Sequence, residues 1–171
     1  MTQEAVAKLK TFSPRHRQYI QAVLAEIMSY YGADLSGLAI FGSYARGENR
    51  KNSDLDLLIV LQTAPRMRER LSQFVDAIEM KHEQLAQRLY TQEEIFCELS
   101  PYILTEAEAL TVQPIYYDFV TYHIVVADPK QIVQRILHSM AQLLRDTGAY
   151  RVRRNNTWEW HTGRFLGGTA L

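Results

Sequence analysis

The chain has a single cysteine, Cys97, so no internal disulfide can form, and without a paired Cys/His cluster a structural zinc site is not expected. Its five histidines, His16, His82, His123, His138 and His161, include no pair at His-x-x-x-His spacing and read as core or surface residues. Neither charge is in excess. Lys and Arg total 19 and Asp and Glu total 19, which excludes a global basic field that would gather nucleic acid or an anionic membrane. No apolar run approaches the roughly 18 residues that span a bilayer, and the opening segment MTQEAVAKLKTFSPRHRQYI lacks the apolar core of a signal peptide. Internal repeats, linkers and low-complexity stretches are absent. A soluble protein of the reducing cytoplasm, with no membrane partner, is expected.

What is present is a length of 171 residues, about that of one domain and enough to bury roughly two-thirds of the unfolded surface. The expectation is a single domain over 1–171, with a core at about 14–128 and a C-terminal helix and hairpin over 129–171. Ser13-Pro14 reads as an N-cap and first helical position, followed by a stripe of Ile20, Val23, Leu24, Ile27, Met28 and Tyr31 that Gly32 ends. Leu35–Phe41 and Leu55–Leu61 are short apolar runs that read as buried strands. A helix is predicted after Pro65, with Leu71, Phe74, Val75, Ile78, Leu85 and Leu89 on one side. Then come a strand over Ile95–Leu104, a short helix opened by Thr105 and Glu106, and a strand over Tyr122–Ala127. Asp128-Pro129 caps a further helix with the stripe Ile132, Val133, Ile136, Leu137, Met140, Leu143 and Leu144, and Tyr150–His161 forms a hairpin turning at Asn155-Asn156. This order predicts an α/β or α+β protein, a mixed sheet flanked by helices.

The chemistry-bearing residues lie between 41 and 56. A strand that empties into Gly42-Ser43 puts a residue without a side chain where the backbone must approach something closely. Phosphate suits that place: backbone N–H groups turn toward its oxygens, Ser43 adds a hydroxyl, and the following helical turn adds a positive end. Gly47 closes the turn. Alone, this pattern is common to plain strand-to-helix turns. Ser53-Asp54-Leu55-Asp56 opens the most hydrophobic strand of the chain seven residues after Gly47. Residues two apart on a strand face one way, so Asp54 and Asp56 project together from the margin of a core, where two carboxylates repel unless a cation lies between them. Hard oxygen donors of this kind suit Mg²⁺ or Mn²⁺, although two solvated loop aspartates would read the same way without the upstream turn. Glu98, which interrupts an otherwise apolar strand, is the best third carboxylate, with Glu93 and Glu94 as alternatives. Arg46 can neutralise a pyrophosphate, while Arg50 and Lys51 read as solvated.

Phe41-Gly-Ser-Tyr-Ala-Arg-Gly47 followed by Ser53-Asp-Leu-Asp56 resembles the signature of the nucleotidyltransferase superfamily related to DNA polymerase beta, in particular its small "minimal nucleotidyltransferase" branch. Looser similarity continues through Ser100–Glu108 and the Tyr122–Asp128 strand. The resemblance implies Gly42 and Ser43 at the triphosphate, Asp54 and Asp56 as catalytic metal ligands, and Glu98 as third carboxylate, a position that some members fill with aspartate; Arg46 and Ser53 are expected to join Gly42 and Ser43 at the nucleotide. It implies transfer of a nucleoside monophosphate, AMP from ATP, to a hydroxyl acceptor, with Glu98 acting either as metal ligand or as general base.

The resemblance leaves the acceptor open. An antitoxin-like module that binds a helical toxin partner, with or without catalysis, is the alternative, and an antibiotic-modifying enzyme ranks below it. The tail Arg151–Trp160 mixes basic and aromatic residues that could clamp a single-stranded nucleic acid, but the same pattern describes an amphipathic hairpin packed on a core.

Overall fold

The computed structural model describes residues 2–154 and 157–171. After a short helix α1 (Thr2–Ala7), the chain enters α2 (Pro14–Tyr31) as its sequence predicts: Ser13 Oγ accepts the His16 N–H at 3.0 Å, and Pro14 fills the first turn. Ile20, Val23, Leu24 and Ile27 are fully buried, and Gly32, at φ +48°, turns the chain out of the helix. β1 (Leu35–Ile40) is buried along its whole length. A one-turn helix α3 (Gly42–Arg46) leads by a loop to β2 (Leu55–Leu61).

Helices α4 (Met67–Phe74) and α5 (Met80–Glu93) are joined by a π-helical turn over Val75–Glu79 into one run. Phe74, Ile78 and Leu89 carry its buried stripe, whereas Leu71 and Val75, expected on the apolar side, lie at its edge and are exposed. Then follow β3 (Leu99–Thr105), α6 (Glu106–Ala109), α7 (Tyr116–Phe119), β4 (Ile124–Ala127), α8 (Ile132–Asp146), β5 (Tyr150–Arg154) and β6 (Thr157–His161). Thr105 caps α6 in a capping box with Glu108. Asp128 receives the Val133 and Gln134 N–H groups at 3.0 and 2.9 Å at the start of α8. β5 and β6 pair antiparallel as the expected hairpin, whose Asn155-Asn156 turn lies outside the described residues. Among the described residues no helix is long and apolar enough to cross a membrane.

The main sheet has the order β3-β2-β1-β4, with β2 and β3 parallel and β1 antiparallel to both its neighbours. One face packs against α2 and the α4–α5 run, the other against α6, α7 and α8, so β2 is buried on both sides and reads as an unbroken apolar run. Its pleat sends Leu55, Leu57, Ile59 and Leu61 to the first core and Leu58 and Val60 to the second. Gly37 lets α8 close onto β1: a Cβ there would meet Val133 and Ile132 at 2.7 and 2.8 Å.

Two strands begin later than expected. The run from Ile95 to Glu98 keeps the alternating burial of a strand, but β2 begins only at Leu55 and offers it no partner; the Phe96 N–H donates instead to Lys51 O at 2.7 Å. Glu98 therefore lies in the lead-in to β3, not inside a strand. β4 likewise starts at Ile124, after the α7 turn has ended at Phe119.

Candidate nucleotide and metal site

The turn after β1 is built around the absence of a side chain at Gly42. Phe41 is extended and donates its N–H to Asp56 O at 3.1 Å, which holds the end of β1 to the start of β2. Gly42 then adopts φ +66°, and a Cβ there would run into the Asp56 carboxylate. Only glycine permits both the backbone angle and the close pass. Ser43 is half-buried, Tyr44 is buried and anchors the helical turn, and Gly47 at φ +70° closes it, its N–H reaching Tyr44 O at 3.2 Å.

Asp54 is exposed in the lead-in to β2, and Asp56 is half-buried two residues on. The pleat gives Asp56 the same side as Leu58 and Val60, facing α7 and α8. Burial pushes the Asp56 carboxyl above the usual carboxylate range; the Asp54 charge pushes it the same way, while a hydrogen bond with Ser100 and the Arg46 charge pull it back. Ser100 stands directly across from Asp56 in the parallel register of β2 and β3. Two oxygen donors held in mutual repulsion, one of them packed against the bare backbone of Gly42, fit a hard divalent cation.

The remaining predicted residues surround this pair. Arg46 hydrogen-bonds Glu48 through Nε at 3.0 Å and brings Nη1 to 4.0 Å from Asp118. Ser53 uses its hydroxyl to accept the Arg50 N–H at 2.8 Å, which shapes the loop before Asp54. Glu98 is exposed, and its carbonyl takes the Leu55 N–H at 2.7 Å, so its backbone lies against the segment between the two aspartates. It also lines a cavity of about 330 Å³ between α2 and α5, and there it raises the carboxyl of Glu79, which burial has already pushed up. Among the described residues no three His, Cys, Asp or Glu side chains gather as a metal-holding group. Glu93 and Glu94 lie further back: Glu93 pairs with Arg15 at 2.6 Å, and Glu94 ends α5 with φ +56°.

Sequence reading did not find the groups that hold the turn in place. His16 is completely buried, accepts the Phe12 N–H on Nδ1 at 3.3 Å and lies 3.0 Å from the Tyr44 hydroxyl through Nε2; Tyr44 in turn donates to Cys97 Sγ at 3.3 Å. With Nδ1 an acceptor, Nε2 carries the proton and donates to Tyr44, so each donor in the series has one acceptor. Burial lowers the His16 pKa to about 4, against a weaker upward pull from Glu93, and raises the Cys97 thiol to about 11. The cysteine is thus a structural acceptor and not a nucleophile. His16 carried no spacing signal. Ser100 could have been found two places after Glu98, from the strand period.

A strand, a glycine turn and a one-turn helix, set against two aspartates that open the neighbouring antiparallel strand, define the class: a mixed α/β fold with a phosphate-type turn beside a carboxylate pair. The model of the nucleotidyltransferase domain family matches residues 22–138, well over half the chain, and the chain belongs to that family. By overall sequence it matches no curated protein. Similar solved structures include a toxin–antitoxin complex with AMP-PNP, at 14% identity over 72% of this chain and 86% of that one, with a TM-score of 0.42. Another is the tri-AMPylated Shewanella oneidensis HEPN toxin in complex with MNT antitoxin, at 12% identity, 85% and 88% coverage and a TM-score of 0.39. A third is a spectinomycin adenyltransferase from Enterococcus faecialis with ATP and spectinomycin, at 14% identity, 75% and 67% coverage and a TM-score of 0.49.

Proposed function

We propose that the protein transfers a nucleoside monophosphate, AMP from ATP, to an acceptor hydroxyl and releases pyrophosphate. The observation that carries this reading is the packing of the Gly42 turn against Asp56, a half-buried carboxylate repelled by Asp54. Gly42 and Ser43 hold the triphosphate, and Arg46 balances the charge that builds on the leaving pyrophosphate. Asp54 and Asp56 hold Mg²⁺ or Mn²⁺, which supplies charge neutralisation at the α-phosphate. The acceptor oxygen bonds to the α-phosphorus as the bond to the bridging oxygen breaks, and its proton passes to a base.

We assign Glu98 as that base. It is exposed, and the bond from the Leu55 N–H to its carbonyl sets its backbone next to the segment that carries the two aspartates. Glu98→Gln is expected to leave Mg·ATP affinity within about twofold while slowing transfer by about 100-fold, the usual worth of a positioned base. Transfer of label from α-labelled ATP in cell extract measures the rate and calorimetry the affinity. If affinity falls together with rate, Glu98 is a metal ligand instead. The antitoxin-like alternative, a module that binds a helical toxin partner, draws its support from the sequence resemblance; label appearing on a co-expressed helical protein would join the two readings. No label on any acceptor, with any nucleoside triphosphate, would contradict transfer.

A further inference from the structure

The C-terminal hairpin has no part in the chemistry above, yet it reaches the same turn. A cavity of about 350 Å³ opens directly beside Gly42 and Arg46, and its far wall is Tyr117 and Asp118 from α7 and Trp160 from β6, with Phe41 at its base. The Tyr117 and Trp160 rings are 6.0 Å apart between centroids and tilted at 48°, and both line the cavity while only half-buried. Trp160 Nε1 donates to Asp118 Oδ1 at 3.3 Å, which ties the hairpin to α7. A second tie comes from Arg151, which bonds the Tyr122 hydroxyl at 3.3 Å and lies over the Trp158 ring at 4.1 Å. Asp118 Oδ2 forms a long ion pair with Arg46 Nη1 at 4.0 Å, past hydrogen-bond distance, so its lone pairs can still accept a hydrogen bond.

We propose that the hairpin completes a nucleobase pocket: the base of the bound nucleotide lies against Trp160 and Tyr117 and gives an exocyclic amine hydrogen to Asp118 Oδ2. The inference rests on the nucleotide reading above. Its support is the continuity of the cavity with the turn that would hold the phosphates, since Gly42 and Arg46 line both. Aromatic faces suit any base, because every base has a π-face, and the carboxylate adds the choice of an amino-bearing one. The basic and aromatic residues of the tail thus find a use without a nucleic acid strand.

The chain has two tryptophans, Trp158 and Trp160, so a Trp158→Phe variant reports on Trp160 alone. Titrated with Mg·ATP, its emission is expected to change saturably, and with Mg·tripolyphosphate, which has no base, to stay constant. Trp160→Ala should weaken ATP about tenfold and leave tripolyphosphate unchanged, with Trp160→Phe retaining most of the ATP affinity. ITP, which lacks the amine, should bind about tenfold less well than ATP, and Asp118→Ala should level the two. If Trp160→Ala fails to fold, Tyr117→Ala carries the same comparison. Equal affinity for ATP and tripolyphosphate in the unaltered protein would overturn the base pocket and leave the phosphate and metal assignment standing. Failure of both to bind would overturn the nucleotide reading itself, and the pocket with it.

Discussion

Gly42 and His16 hold the phosphate turn by opposite means, one by having no side chain and the other by burying a polar one. Gly42 admits the Asp56 carboxylate where any Cβ would lie. His16 ties Tyr44, and through it the α3 turn, to the start of α2 and to Cys97. Because burial drops the His16 pKa from 6.5 to about 4, the folded protein resists a proton that the unfolded chain accepts. The stabilisation is therefore complete above pH 6.5 and is lost as the pH falls toward 4, by roughly 3 kcal/mol in total for a shift of this size. Urea unfolding between pH 7 and 4 checks this. His16→Gln, which keeps a donor to Tyr44 but does not titrate, is expected to flatten that part of the curve; an unchanged slope would contradict the assignment.

Among the elements, α2 and α8 were legible in the sequence because cap, apolar period and terminating glycine agree in each, and β1 and β2 because each is a short, nearly unbroken apolar run. The limits of β3 were not legible. The alternation from Ile95 to Leu99 is real, but whether a residue belongs to a strand depends on where its partner begins, and Leu55 sets that point from far away in sequence. The same blindness hid Arg70, which reads as one more charge on the solvated side of α4. It is buried, with Nη1 and Nη2 on Glu108 at 2.6 and 3.0 Å, Nη1 also reaching Ile103 O at 3.1 Å and Nε on Pro65 O at 2.5 Å. That fork joins α4, β3 and the α6 capping box, and its hydrogen bonds hold the Glu108 carboxyl down at about 2. Arg70→Ala should cost about 2–3 kcal/mol in urea unfolding, mostly by stranding the carbonyls, since Glu108 is partly exposed and its attraction screened. Arg70→Lys should recover only part of this, lacking the planar fork. A loss below about 1 kcal/mol would show that the fork is incidental.

In the molecule as a whole, the sheet separates two approaches to the aspartates. From β2, the phosphate turn, Arg46 and the aromatic cavity lie toward β1 and α7, and Glu98 lies toward β3. Residues 41–56 carried enough pattern to locate the turn and the carboxylate pair, since both are local in sequence. Asp118 and Trp160 were out of reach, because more than sixty residues separate Asp118 from the turn and only the packing of α7 and the hairpin brings them to it. The proposed transfer requires Asp54 and Asp56 to hold a nucleotide through a divalent cation. Calorimetric titration with ATP, with and without Mg²⁺, on the unaltered protein and on Asp54→Asn and Asp56→Asn tests this most directly. Mg²⁺-dependent binding should appear in the first and vanish in both variants while their circular dichroism spectra stay the same. Equal affinity in all three, or binding indifferent to Mg²⁺, would contradict it.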